Sequence, residues 1–573
     1  MFFLLNMGRG LTAAVLTSLF ITTTYLYIKL SEKRLKQYAH LPQAKTSLLW
    51  GHLKLFDEYT KRGNHDRHPG SISPYAIIAE IHRDIGSPPF FMLDMRPINP
   101  PTIVIANYEV AEQLSKPSKG FPYSVHKAPT TVRMIPLVGS KAILFHQNES
   151  WKGVRKRFNP GFAPAHLMTL LPGILEKTVP FLNHLDERAR IGEPFRLSDL
   201  TTNLTFDIIG TVAMDVDMEA QKGDASPQGE FVRQFKKLIR TYADDKLFLP
   251  WWLMPFTEIK RLRLSAFINK RLREIVDTKL KKLNSAPLTG RSRTILALAL
   301  QDVEDITPEI LEETLDQIKS FLLAGHDTTS ILIDWAIYEL SRTPHALKAV
   351  QEEVKTLFGS DAQDPRAICA RLSSSGGAEL IHQMTYISAV IRETLRLHPP
   401  AGSVRMTMPN SGSTCIVSTP QGEYCLDGTW MYINHTIIHR DRAVYGETAE
   451  EFRPERWLVG GGSKGTGDDE SLFMASSGSF PPGAWRPFER GPRNCIGQEL
   501  ANIEARIAIT ILAHKYKFSK VGLGESDLDD KGQPVLDNMG QYKTKSELYS
   551  TFQISARPVD GMIMKVEVAP SSL

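Results

Sequence analysis

The chain has 573 residues, 42% of them hydrophobic and 23% charged, with 39 glycines and 36 prolines, a balance that excludes collagen-like and low-complexity chains and is long enough to bury a cofactor-sized cavity. Sixty-eight Lys and Arg against 63 Asp and Glu leave a net charge of +5, too mild to argue for nucleic acid as a partner. The four cysteines, Cys369, Cys415, Cys425 and Cys495, stand 46, 10 and 70 residues apart, which excludes a disulfide scaffold and a paired-thiolate zinc site.

Leu11 to Ile28 carries no charge. Eighteen helical residues span roughly 27 Å, close to the hydrocarbon thickness of a bilayer. Tyr25 and Tyr27 sit where an interfacial aromatic belt belongs, and Lys29, Lys33, Arg34 and Lys36 follow at once. Residues 1–30 are therefore expected to be a transmembrane anchor whose basic flank stays in the cytosol. No small-residue cleavage site follows the apolar run, which argues against a signal peptide. Residues 31–60 read as a juxtamembrane tether, and 61–573 as the catalytic domain, with mean hydropathy of the whole chain at −0.20.

Short strand-like segments are expected at Phe90–Leu93, Thr102–Ile105 and around Cys415–Tyr432. Asn148–Arg157 reads as a helix on which Trp151 and Arg155 are i, i+4 neighbours, with Lys152, Lys156 and Arg157 beside them. Glu230–Asp244 and Glu258–Leu283 read as two helices, and the intervening Leu247-Phe-Leu-Pro-Trp-Trp252 is either core or a patch that dips into lipid. A long helix is expected from about Pro308 to Ser341, capped by Thr307 with Pro308 at its first position. Its middle reads Ala324-Gly-His-Asp-Thr-Thr329; small residues there let a ligand approach the backbone, and a threonine hydroxyl can bond back and open the helix. His326 reads as a pocket or satisfied histidine rather than a metal ligand. Glu393 and Arg396 share a helix face before Pro399-Pro400. Gly460–Gly483 is a Gly- and Ser-rich loop. Its Gly-x-Gly-x-x-Gly pattern at 460–465 has neither the strand before nor the helix after that a dinucleotide site needs. Neither a Walker A pattern nor HExxH occurs, so the chain shows no site for NADPH or flavin.

The chemistry concentrates at Cys495, in Phe488-Glu-Arg-Gly491-Pro-Arg493-Asn-Cys495-Ile-Gly497. A cysteine just before a helix N-terminus meets free N–H groups and the positive end of the dipole, which favours thiolate. Gly491 and Gly497 permit a tight turn and close approach of a flat ligand, and Arg493 offers a fixed cation to an anionic group. A soft axial ligand, sulfur hydrogen bonds and a carboxylate partner are what a haem-thiolate site requires.

These residues resemble the cytochrome P450 family, whose signature Phe-x-x-Gly-x-Arg-x-Cys-x-Gly is matched at Phe488, Gly491, Arg493, Cys495 and Gly497. The resemblance extends to Glu393-Thr-Leu-Arg396, to Phe452-Arg-Pro-Glu-Arg456-Trp457, to Ala324–Thr329 and to Asn148–Arg157, and covers residues 40 to 573. It implies a mainly α fold with a small β-rich region, and haem b ligated by Cys495 with Trp151, Arg155, Arg405 and Arg493 on its propionate side. Asp327 and Thr328 become the acid and alcohol beside the reacting oxygen, and Glu393, Arg396 and Arg456 a structural ion network. The implied activity is monooxygenation of a lipophilic small molecule at the endoplasmic reticulum membrane. Electrons would come from NADPH-cytochrome P450 reductase, steered by the basic run Lys152–Arg157. Stretches such as Arg157-Phe-Asn-Pro-Gly-Phe-Ala-Pro-Ala-His166 look like fungal secondary-metabolite members. The alternatives are a reductase-independent haem-thiolate isomerase or dehydratase, in which the acid–alcohol pair is typically altered, and a non-enzymatic haem carrier, for which a proton relay has no use.

Overall fold

The computed structural model describes residues 2–62, 74–223, 226–242, 253–285, 294–301, 303, 305–408, 412–458, 480–551 and 554–569. Among these the chain is mainly helical, with three small sheets. The helices that position the site are α1 (Phe2–Ser31), α2 (Tyr108–Ser115), α3 (Asn148–Phe158), α4 (Leu171–Ile191), α5 (Leu197–Met214), α6 (Pro227–Arg240), α7 (Pro255–Ser285), α8 (Pro308–Arg342), α9 (Thr385–Leu397) and α10 (Gln498–Leu512). Strands β1 (Phe90–Leu93), β2 (Thr102–Ile105), β7 (Trp430–Ile433) and β4 (Ser403–Met406) form the largest sheet, in that order, with β2 and β7 parallel and the other pairs antiparallel. β5 (Ile416–Thr419) and β6 (Gly422–Cys425) make a hairpin, and β3 (Phe195–Arg196), β9 (Ile563–Val568) and β8 (Tyr516–Lys520) make the third sheet. The strands expected at 90–93 and 102–105 and the two helices expected after residue 230 all form. The Leu247–Trp252 patch and residues 460–479 of the glycine-rich loop lie outside the described residues.

The segment Ala14–Lys36 is long and apolar enough to cross a membrane, and residues 14–29 are exposed. The segment expected to be a tether lies against the large sheet. Met92 N–H donates to the Pro42 carbonyl at 2.8 Å, and Arg34 is buried against Asp94 at 2.6 Å. That ion pair withdraws Arg34 from the basic flank and leaves Lys29, Lys33 and Lys36 exposed.

The long helix α8 is the spine of the core, buried along most of its length from Thr314 to Leu340. Its start is as expected: the Thr307 side chain accepts from the Ile310 N–H, with Pro308 in the first turn. It packs closely on α5, where Thr205 donates to the His326 carbonyl at 2.8 Å, and Ser198 and Thr201 donate to Asp334 at 2.5 and 2.8 Å. A Cβ on Gly325 would lie 2.8 Å from Ile209 of α5. Here the small residue admits a neighbouring helix, a use that the sequence reading, which gave it to a ligand, did not foresee. Nor does the helix open: the Thr328 hydroxyl donates to the Ala324 carbonyl at 2.8 Å and α8 runs unbroken past it.

Candidate active site

The cysteine loop is closed on itself before α10 begins. The Cys495 N–H donates to the Phe488 carbonyl at 2.8 Å and the Asn494 N–H to that of Gly491 at 3.0 Å. Gly491 has φ +75°, and a Cβ there would fall 2.1 Å from the Ser115 carbonyl of α2, so the turn needs glycine for both backbone angle and space. Gly497 has no such demand from the protein: a Cβ would meet only Phe162, at 3.9 Å. Its N–H is near enough to the Cys495 sulfur to favour the charged thiolate.

Cys495 lies deep within the fold, yet its side chain is open, so what it faces is interior space. A hollow of about 220 Å³ lined by Arg155, Phe162, Phe488, Gly491 and Asn494 adjoins it. Burial pushes the Cys495 thiol up from its ordinary value, against the Gly497 N–H and the charges of Arg155 and Lys127. Burial and the loop's N–H and cations thus act on this thiol in opposite senses, and coordination to a metal ion would deprotonate it outright.

Cations crowd this cysteine. Arg155 of α3 donates to the Asn494 carbonyl at 2.7 Å, to its side-chain oxygen at 2.9 Å and to Asn159 at 2.7 Å, so it braces the loop from below. Arg493 donates to Gln147 Oε1 at 2.6 Å and to the His146 carbonyl at 2.9 Å, and its guanidinium lies 5.2 Å from the Trp151 ring. Arg405 of β4 is fully buried and donates to Ser124 Oγ at 2.8 Å and the Val125 carbonyl at 3.1 Å, while its Nε has no partner. Lys127 was missed by the sequence reading. It pairs across the backbone with Arg405, which sets both side chains on one face, and its Nζ donates to Ser403 Oγ at 2.7 Å. Burial, then Arg405, hold its ammonium well below the usual lysine range, and the charge of Cys495 opposes them. Nothing local in His126-Lys127 marks this role; it arises from strand pairing 278 residues away (405 − 127).

A buried donor set with one soft sulfur and more cations than anions fits a flat metal macrocycle carrying two carboxylates. The expected basic run is thinner than its sequence suggests. Arg155 is committed to the loop and Arg157 to Glu313 at 2.9 Å, which leaves Lys152 and Lys156 exposed.

On α8, Ala324 is exposed and Thr328 partly so, though the helix around them is buried, and this marks a face turned to interior space. Asp327 is adjacent in sequence but turned aside. It is buried and paired with Arg557, a residue near the C-terminus that sequence reasoning also missed. His326 is a core residue: its Nδ1 lies 2.5 Å from the Leu322 carbonyl, its ring lies 4.7 Å from that of Phe206, and burial pushes its pKa down to about 3.

The expected ion network is complete. Arg396 makes two bonds of 2.8 Å to Glu393, Arg456 adds one of 2.8 Å and the Trp457 indole one of 2.9 Å. All four cysteines are free; Cys415 is buried against Met431 and Cys425 is exposed.

The family model described as cytochrome P450 matches residues 73–544. The chain belongs to the cytochrome P450 family. This P450 is 30% identical over 514 residues to the cytochrome P450 monooxygenase acrF of Aspergillus aculeatus, covering 87% of this chain and 98% of that protein. It is 28% identical over 457 residues to the monooxygenase polC of Polytolypa hystricis, covering 77% and 75%. A bifunctional cytochrome P450/NADPH–P450 reductase of Gibberella moniliformis is 30% identical over 345 residues, 58% of this P450 and 27% of that longer protein. Both the mainly helical fold and the oxidoreductase class expected of the sequence are those of the family.

Proposed function

We propose that this P450 is a membrane-anchored haem-thiolate monooxygenase of secondary metabolism that inserts one atom of O2 into a lipophilic small molecule, with electrons from NADPH through a separate cytochrome P450 reductase. The observation that carries the reading is the interior cysteine, Cys495, held by its loop in open space within reach of the charges of Arg155 and Lys127, with Arg405 and Arg493 close to those two. Likeness to the monooxygenases acrF and polC supports the reaction class. In this reading Cys495 would supply the sulfur ligand to the iron, and Lys127, Arg405 and Arg493 would hold the two carboxylates. Trp151 and Arg155 brace the loop from α3. Haem supplies O2 activation when bound, with thiolate ligation favouring O–O cleavage.

The chain's own residues then manage protons. The Thr328 Oγ1, anchored by its bond to the Ala324 carbonyl, has free acceptor capacity on the open side of α8. There it would hold a water and a proton at Oγ1 for the oxygen chemistry that the haem supplies. Asp327 is the acid behind it, with Arg557 fixing its carboxylate. The anchor α1 places the domain on the cytosolic face of the endoplasmic reticulum, supported by its length and by Lys29, Lys33 and Lys36.

The test is Cys495→Ala. The reduced carbon monoxide complex of the wild-type protein is expected to show the red-shifted band specific to thiolate ligation, and the variant to lack it and lose turnover. A variant with an unchanged spectrum would overturn the assignment.

A further inference from the structure

The loop that carries Cys495 also carries a buried carboxylate for which the family signature has no requirement. Glu489 occupies a free position of that motif, has φ +60°, and its side chain is 8% exposed. Its Oε1 accepts from Arg486 at 2.6 and 3.1 Å, from the Arg490 N–H at 3.2 Å and from Ser115 Oγ at 3.4 Å. Its Oε2 lies 3.5 Å from Arg405 Nη2. Burial raises this carboxyl, but Arg486 and Arg405 outweigh it and hold it well below the usual carboxylate range, with His435 and Lys127 adding to them. Arg486 is itself fully buried, anchored to Ser115 Oγ at 2.7 Å and 3.6 Å from Glu112, so the carboxylate cannot swing out to solvent without taking the nearer partner from a buried cation.

Arg405 is therefore shared. One side of its guanidinium faces Glu489, and the reading above gives its remaining capacity to a carboxylate of the cofactor. A permanent negative charge is thus built into the lining of the hollow that adjoins Cys495, in the same loop as that cysteine. We propose that Glu489 is a positioning residue that fixes Arg405 and lowers the reduction potential of the haem, so that the resting iron stays ferric until electrons are delivered. The inference rests on the haem-thiolate reading. Buried charges in a medium of effective dielectric about 20 still interact over roughly 10 Å strongly enough to move an equilibrium about tenfold.

The experiment is an anaerobic spectroelectrochemical titration of the purified holoprotein, wild type against Glu489→Gln and Glu489→Asp. Glu489→Gln keeps the shape and removes the charge. It is expected to retain the red-shifted carbon monoxide band and to favour the ferrous form about tenfold more than wild type, which for a one-electron couple is a shift of about +59 mV. Glu489→Asp keeps the charge and should stay close to the wild-type potential. If Glu489→Gln does not accumulate as holoprotein, Arg486→Gln reads the same wall with the opposite sign, and its potential should fall. A shift below twofold in Glu489→Gln, or below twofold in Arg486→Gln where only that variant accumulates, would overturn the proposal, as would equal shifts in Glu489→Gln and Glu489→Asp. Failure of the haem-thiolate reading itself would show differently, as a wild-type protein without the red-shifted band.

Discussion

At the scale of single residues the chemistry divides between groups that hold and groups that move protons. In the proposed reading Thr328 is of the second kind. Its side chain is anchored by one bond to Ala324 and open on the other side, so removing the hydroxyl leaves Cys495 and the loop untouched. Thr328→Ala should keep haem content and substrate-induced spectral shifts. Product formation should fall by about 10²–10⁴-fold, the range for a lost general acid–base step, while NADPH consumption continues and hydrogen peroxide rises. Unchanged product and peroxide would favour the reductase-independent alternative. Asp334 is of the first kind, one buried carboxyl facing Ser198 and Thr201. Burial pushes it up to about 7 from an ordinary 3.8, the two hydroxyls and Asp199 having lesser effects. Because the folded state binds this proton more tightly than the unfolded chain, its contribution is fully present below about pH 4 and is lost as pH rises to about 7. Asp334→Asn should flatten that part of the stability–pH curve measured by urea denaturation.

At the scale of elements, α1 and the start of α7 present apolar surface with nothing packed on it among the described residues. Residues 14–29 of α1 are exposed, and Phe256 and Leu262 are 86% and 61% exposed at the start of α7. Deleting residues 1–30 should move much of the protein from the membrane pellet to the supernatant on flotation, with haem retained. Phe256→Ser in that background should release more, because each buried apolar side chain contributes about 1.5–3 kcal/mol to lipid attachment. Arg34 and Pro42 remain in the truncated chain and keep the following segment on β1. Protease added outside intact microsomes should digest the domain; protection would reverse the topology.

At the scale of the whole molecule, the node that joins its parts is Glu393. Its two oxygens take four side-chain bonds from Arg396, Arg456 and Trp457 and one from the Arg453 N–H, which ties α9 to the segment before the glycine-rich loop. The pair is completely buried, so replacing one partner strands the other charges. Glu393→Gln should cost about 3–5 kcal/mol in denaturant unfolding and depress haem incorporation in proportion, with no specific change in the spectrum of the holoprotein that does form.

Local pattern was enough for the apolar N-terminal helix, the long helix with its Thr307 cap, the strands at 90–93 and 102–105, and the cysteine loop, because each is set by neighbours in sequence: an apolar run, a capping hydroxyl, alternation, a glycine where φ must be positive. The same locality marked Cys495 and Arg493 as candidates and made the Glu393 network legible. Lys127, Arg557 and Glu489 were not legible, since their roles come from partners far along the chain: Arg405 across a strand, Asp327 on α8, and Arg486 and Arg405 against the cysteine loop. The use of Gly325 and the state of the Cys495 thiol also waited on tertiary structure. Whether a small residue makes room for a ligand or for Ile209, and whether a helix terminus or burial governs a thiol, depends on which atoms surround the residue from other elements. Sequence spacing sets direction along an element; desolvation and pairing between elements are decided only once the chain has packed.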